Sequence, residues 1–451
     1  MKIIKSNEFD EYWKSQITHE DDEKTGLVVK EIIADVRANG DKAVRKYASK
    51  FDKSSPEKLE VPVLQAKNAL AHLRAGDPAL VGALELSAQN IKCFCEKQKE
   101  QFFNFELEMS PGLFTGQRVI PVQRAAVYIP AGRFPLFSSV LMGMIPAFCA
   151  GVEEVILSSP PSEDGIPDRL TLAAAAVAAD ACGVSDNRFR IFAMGGAQAI
   201  AALALGCKAD DGSDSVPKVD IITGPGNKYV AAAKRIMYGE VGIDFIAGPT
   251  DVLIIADGTT ENSAELAAAD MLAQAEHDPD ARARALVPNR EFAEKLAKAI
   301  EQRLAELPAD NAGIARLSLD AGGLIIIYQD KKEAIRIANI IAPEHLELHT
   351  SDDIMDDNTW ISRLKNYGSL FIGALSAEVL GDYSAGINHT LPTSTSARFT
   401  GGLSVRHFLK TVTTLRCKRG EGYKNAIKAA EIIGRAEGLE AHAQSAAVRK
   451  N

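Results

Sequence analysis

This sequence has no surplus of positive charge, no long apolar run and no paired-cysteine motif. Lys and Arg number 51 against 60 Asp and Glu, a formal net charge of −9. A nucleic-acid or anionic-membrane partner wants a basic surface, so neither is expected. The longest apolar stretch, around Val140 to Val152, is too short to cross a bilayer and is interrupted by Pro146. The opening MKIIKSNEFDEYWK lacks the apolar segment of a secretion signal, and a cytoplasmic location is expected. Six cysteines are scattered along the chain; Cys93 and Cys95 are too close for a zinc hairpin, and no CxxC pair occurs. Reduced structural thiols are the expectation. With 34 Gly and 19 Pro the chain is no fibre, and at 46% hydrophobic residues it is too apolar for disorder.

What is present is a 451-residue globular chain, enough at roughly 150 residues per domain for about three domains, or two larger ones with a tail. Residues 1–120 read mostly as helix, with charged and apolar residues mixed at helical spacing in Gly26–Phe51 and Asp77–Phe105. After Pro121 short apolar runs alternate with helical ones: Ala125–Ile129, Glu154–Ser158, Arg190–Ala193 and Val219–Ile222 each precede a helical stretch. This rhythm predicts a parallel sheet with helices on its faces. It restarts after Gly248-Pro249 with the strand-like runs Val252–Ala256, Ala285–Val287, Leu324–Tyr328, Leu346–His349 and Ser369–Ile372. From Asn388 onward the chain reads as mixed loop and helix, too small to bury a core of its own.

Several segments could carry chemistry. Gln274 and His277 are three apart at a helix end and share a face; both can ligate zinc, although alone such a pair reads as a polar helix end. Glu344 and His345 stand together after Pro343, an acid beside an imidazole at the tip of an α/β element, where such folds place reactive groups. The segment from Gly381 to Thr393, GDYSAGINHTLPT, is a long polar loop of the kind that builds a site. Gly195-Gly196-Ala197-Gln198 and Gly224-Pro225-Gly226-Asn227 each follow a strand and precede a helix, so backbone N–H groups could approach a phosphate; a tight turn is the plainer reading of each. His442, late in a mixed helix, reads by itself as a surface residue.

Taken together, the blocks PVQRAAVYIPAG, GGAQAIAALALG, GPGNKYVAAAKR, AGPTDVLIIAD, AADMLAQAEHD, APEHLEL, GDYSAGINHTLPT and EGLEAH resemble the histidinol dehydrogenase family, in family order from about Gly112 to Arg449. The resemblance implies an α/β fold of two incomplete Rossmann-like parallel-sheet domains, with a helical N-terminal region and a C-terminal dimerisation tail. It implies a helical region 1–120 packing on the second α/β half, an NAD-binding domain 121–245, a zinc and catalytic domain 246–385, and a tail 386–451 that reaches the partner subunit's active site. The implied activity is a zinc-dependent, NAD-linked four-electron oxidation of a small-molecule alcohol through an aldehyde to a carboxylate, in a homodimer with shared sites and one Zn2+ per subunit.

Carried over residue by residue, the zinc ligands would be Gln274, His277, Asp382 and, from the other subunit, His442. Glu344 and His345 would be the acid–base pair, and Tyr128, Gln198 and Asn227 would meet NAD. Thr250, Glu378, His389 and Glu437 would contact substrate, together with the zinc ligands and His345. No cysteine falls in these motifs, which argues against a covalent thiohemiacetal.

The substrate the resemblance favours is L-histidinol, oxidised to L-histidine, because Glu378 and Glu437 suit a cationic substrate. The segment from Ala131 to Ser139 departs from the family in carrying Arg133, Phe134 and Phe137. That segment, with Arg398, keeps open relatives that oxidise 2,3-dihydroxypropane-1-sulfonate to sulfolactate, since a sulfonate wants an Arg or Lys clamp. A catalytically idle zinc- or nucleotide-binding dimer is the remaining class; the matched Glu344-His345 pair argues against it.

Overall fold

The computed structural model describes residues 1–15, 22–131, 136–209, 212–246, 248–350 and 358–450. Two six-stranded sheets dominate it. In the first, the strands lie in the order Gly242–Ile243, Ile221–Thr223, Arg124–Tyr128, Glu154–Ser159, Phe189–Ala193 and Glu60–Val61. All neighbours are parallel except the last pair. In the second the order is Lys2–Lys5, Leu324–Ile327, Arg282–Val287, Asp251–Ala256, His345–His349 and Ser369–Ile372, parallel throughout. In each sheet the chain runs outward from a central strand to one edge and then crosses to the other side, leaving a switch point beside Arg124–Tyr128 in one and Asp251–Ala256 in the other.

The strands read as near-continuous apolar runs because both faces of each sheet are covered. Ala125 and Val127 go into one core and Ala126 and Tyr128 into the other. Val252 and Ile254 likewise part from Leu253 and Ile255. The helices end on chemistry visible in the sequence: Asp168 caps Arg169–Cys182 by accepting from the N–H groups of Leu170 and Thr171, and left-handed Gly183 closes it.

Pro146 sits inside the helix Ser138–Ala150. It cannot donate to the carbonyl of Met142 four residues back, and Asn388 fills that vacancy with a 2.7 Å hydrogen bond from Nδ2. The polar loop of the second half is thereby fastened to the first helix of the first half.

Two expectations are corrected. Residues 1–120 pack chiefly on the first half, not the second. Val29, Ile32, Ile33, Val36 and Val44 join the core around Ile200, and Leu70, Leu84, Ala88 and Ile91 the one around Leu141. The leading segment goes to the second half, through the strand Lys2–Lys5 and through Phe9, and Asn90 Nδ2 donates to the Ser384 carbonyl there at 2.8 Å. The tail is also not just loop and helix. Its strand Leu409–Cys417 pairs antiparallel with Leu113–Pro121, which pairs with Phe105–Ser110 in a separate three-stranded sheet. The helices Glu421–Ala436 and Glu440–Ala447 follow it.

Candidate active site

The two halves meet at a cleft. One wall carries Ser138, Ser139, Pro225 and Phe245, which follow strands of the first sheet; the other carries Thr250, Glu344 and His345, which stand at the start of strands of the second. His277, Asp382 and the loop residues His389 to Leu391 close the rest. The first half thus offers the carboxyl ends of its strands, as α/β folds commonly do, whereas the second offers the amino ends. The Glu344-His345 pair is at a strand tip, as its position in the sequence suggests, but at the opposite tip from the usual one.

Glu344 is buried and held from several directions. Thr250 Oγ1 donates to its Oε2 at 2.5 Å, and Asp251 N donates to the same oxygen at 3.2 Å. Its own N–H reaches Asp251 Oδ1 at 3.1 Å, while Asp251 Oδ2 accepts from Arg284 Nη1 at 3.0 Å in a buried ion pair. Burial pushes the Glu344 carboxyl well above the usual range, and the Thr250 hydroxyl works against that shift. Ala342 ends the preceding helix in the left-handed region, at φ 49°, which swings Pro343 and Glu344 into the cleft.

Gln274 Nε2 donates to Thr250 Oγ1 at 2.8 Å, and its carbonyl Oε1 is buried without a hydrogen-bond partner. His345 is buried with neither ring nitrogen hydrogen-bonded. Its Nδ1 lies 3.6 Å from Glu378 Oε2 and its Nε2 3.8 Å from Asp382 Oδ1. Burial lowers the His345 imidazole to about 3, so it is neutral at pH 7, and raises the Asp382 carboxyl to about 7. His389 Nε2 is 3.4 Å from Ser138 Oγ and 3.5 Å from Ser139 Oγ, and burial lowers it to about 4. Neutral imidazoles and a carboxylate on one cleft, with the unpaired amide oxygen of Gln274 just behind Thr250, form a donor set suited to a divalent transition ion.

The other expected residues divide into two groups. Tyr128, Gln198 and Asn227 lie at the carboxyl edge of the first sheet, the first two buried: the Tyr128 hydroxyl accepts from Gly196 N at 3.0 Å, and Gln198 Nε2 lies 3.5 Å from Asp52 Oδ2. Asn227 caps the helix Lys228–Met237. Gly224, at φ 110°, lets the turn pass so close to Tyr128 that a side chain there would collide with the Tyr128 carbonyl oxygen. Glu437 and His442 are exposed on the terminal helices and do not line the cleft of their own chain. Arg133 lies outside the described residues, and Arg398 donates to the carbonyl of Ile340 at 2.7 Å rather than lining the cleft.

Sequence reasoning gave no role to Asp251 and Arg284, or to Lys234 and Asp244, whose ion pair braces Gly224 through the Gly224 N–H and carbonyl. The available signal was a charged residue heading an apolar strand, with an opposite charge in the neighbouring one.

The family model for histidinol dehydrogenase matches residues 15–450. The chain is a member of the histidinol dehydrogenase family. The histidinol dehydrogenase of Aquifex aeolicus is 43% identical over 440 residues, covering 97% of this chain and 95% of that one. That of Thermus thermophilus is 43% identical over 424 residues, covering 94% of each. The crystal structure of the Elizabethkingia anophelis histidinol dehydrogenase superposes with a TM-score of 0.86 at 32% identity, over 99% of this chain and 97% of that one. As a histidinol dehydrogenase family member the chain is an NAD-dependent oxidoreductase. Among the described residues no helix is long and apolar enough to cross a membrane.

Proposed function

We propose that the chain oxidises L-histidinol through the aldehyde to L-histidine, as a zinc-dependent, NAD-linked homodimer. The observation that carries this reading is the neutral, doubly unpaired His345 beside the buried Glu344 on a cleft lined by Thr250, with Gln274 and its unpaired oxygen hydrogen-bonded behind that threonine. Gln274, His277 and Asp382 would hold the zinc, with His442 of the partner subunit completing the set. Bound zinc would supply Lewis-acid polarisation and orientation of the substrate.

In the first oxidation His345 accepts the alcohol proton while hydride passes from the carbon to NAD. In the second, water adds to the aldehyde and Glu344 receives a proton of that water. His345 again takes the proton as the second hydride leaves. The sum is one alcohol, one water and two NAD+ giving one carboxylate, two NADH and three protons. The partner's Glu437 would face the cationic end of the substrate, and Glu378, buried beside His345, would act on it through that imidazole. His389 would contact substrate from its place against Ser138 and Ser139. Tyr128, Gln198 and Asn227 shape the glycine turns that would hold NAD.

Two surfaces favour a dimer. The hairpin exposes Phe103, Phe105, Leu107 and Met109, and the terminal helices expose Ile432, Ile433, Leu439 and Val448. A sulfonate diol is disfavoured by the engagement of Arg398 with Ile340 and by the buried acid at Glu378. The test is NADH formation from histidinol and from 2,3-dihydroxypropane-1-sulfonate. Two NADH per histidinol and none from the sulfonate are expected. The reverse pattern would replace the substrate, and no NADH from either would leave an idle binder.

A further inference from the structure

The strand His345–His349 alternates in an unusual way. Leu346 and Leu348 enter the core beneath the helix Lys331–Ile341, while His345, Glu347 and His349 all turn to the opposite face. A parallel strand covered on both sides is ordinarily apolar on both. Here the second face carries only ionisable groups, and Glu347 and His349 are completely buried.

Opposite them stands Asp270, one turn before Gln274 on the helix Ser263–Ala275. One ligand-type atom from each of Asp270, Glu347 and His349 lies within 4.8 Å of the other two. His349 Nε2 is 2.9 Å from Glu347 Oε2 and 3.6 Å from Asp270 Oδ2. Neither ring nitrogen of His349 makes a hydrogen bond, and nor does Glu347 Oε2. The imidazole and the carboxylate are thus in close contact without a hydrogen bond between them. Buried polar atoms are ordinarily paired, so two orphans facing each other and Asp270, His349 Nε2 and Glu347 Oε2, need an explanation.

We propose that Asp270, Glu347 and His349 form a second cation site, distinct from the cleft, for a divalent first-row transition ion such as zinc. Two carboxylates leave the cluster rich in negative charge, and an imidazole selects such an ion over calcium or magnesium. Ligand atoms about 3–3.6 Å apart match tetrahedral coordination at the usual zinc distances of roughly 2.0–2.2 Å. Glu347 is already oriented: its other oxygen accepts from Glu378 N at 2.8 Å, the supporting contact that ligating carboxylates require. Asp270 keeps a small exposed surface on its side chain, which provides the entry path. Burial and the neighbouring Glu347 raise its carboxyl to about 7, a shift that a bound cation would reverse.

The site goes beyond the zinc assigned to the cleft, and one measurement separates the two. The full chain is loaded with Zn2+, dialysed exhaustively and assayed for metal by mass spectrometry. Wild type should retain a second equivalent per chain. His349→Gln and Asp270→Asn should each lose one equivalent, whereas Gln274→Ala should lose the other. A single equivalent in wild type that vanishes with Gln274→Ala and persists with His349→Gln would overturn the proposal. A single equivalent with the opposite behaviour would keep it and remove the cleft zinc instead. Should the buried variants fail to fold, anomalous scattering at the zinc edge from wild-type crystals decides. A peak between the three side chains supports the site, and its absence in zinc-soaked crystals refutes it.

Discussion

Thr250 and Glu344 are joined by a 2.5 Å hydrogen bond, hydroxyl to carboxylate, across two neighbouring strands that both begin at the cleft. Gln274 donates to the same hydroxyl, so one threonine links the proposed water-activating acid to a proposed metal ligand. The bond favours the charged form of a carboxyl that burial otherwise holds neutral.

Thr250→Val should therefore raise the Glu344 pKa further. As a base Glu344 acts only when deprotonated, so the acid limb of kcat/KM for aldehyde oxidation should move to higher pH. The expected displacement is about one pH unit, equivalent to about 1.4 kcal/mol, the size of a hydrogen bond to a charged group. Steady-state profiles between pH 6 and 10 would measure it, and an unmoved limb would assign it to another group.

Glu344→Gln should slow oxidation of the aldehyde about 10²–10⁴-fold and spare that of the alcohol. Stopped-flow traces from the alcohol should show one fast NADH per site followed by a slow phase. Two NADH at the wild-type rate would leave Glu344 only the task of holding His345.

His345→Asn should impair both oxidations, each by about 10²–10⁴-fold, because each hydride departure needs a proton acceptor nearby. Separate traces from alcohol and from aldehyde would show the two losses. A variant that lost only one step would confine His345 to that step.

Gln274→Ala and His442→Ala should complement each other. If each site takes Gln274 from one subunit and His442 from its partner, a hybrid dimer holds one intact site. Random exchange in an equal mixture should restore about a quarter of wild-type activity. Two inactive proteins that stay inactive after verified subunit exchange would place both residues in one chain's site.

Asp52→Asn should change how stability depends on pH. Burial raises the Asp52 carboxyl to about 6, above its ordinary 3.8. Its contribution to stability is complete below the unfolded value and is lost as pH rises through about 6. Asparagine stays neutral, so the variant should gain on wild type between pH 5 and pH 8. The gain should be about 1 kcal/mol, or roughly 1 °C in Tm for a chain of this length, because partial exposure screens the full shift. Parallel melting curves at the two pH values would test it.

The sheets were legible because their strands are apolar on both faces. Asp251–Ala256, Leu324–Ile327 and Glu154–Ser159 fall within two residues of the runs that announce them. The antiparallel sheet was not, since Phe105–Ser110 is exposed along nearly its whole length and the pairing of Leu113–Pro121 with Leu409–Cys417 bridges some three hundred positions. The helix Ala309–Gly322 was lost behind Pro308, which caps its start. Glu344, His345, Gln274 and Asp382 were marked by their motifs; the cleft gathers all but Gln274, which stands behind Thr250. Asp270 and His349 were visible as letters only, because burial without a partner belongs to the fold and not to the string.

The opposed strand edges also set the polarity of the cleft. Helices that follow strands of the first sheet start there: Ser138–Ala150, Gly196–Leu205 and Lys228–Met237 turn their N-terminal, positive ends toward it. Helices that precede strands of the second sheet finish there, Ser263–Ala275 at His277 and Lys331–Ile341 just before Glu344. Each helix end carries roughly half an elementary charge. One wall therefore attracts an anionic group such as a dinucleotide pyrophosphate, and the other a metal ion or an ammonium, before any side chain is counted. A reversal of either sheet would place like poles on both walls, so the macrodipoles alone tie the orientation of each half to the sign of what it can hold.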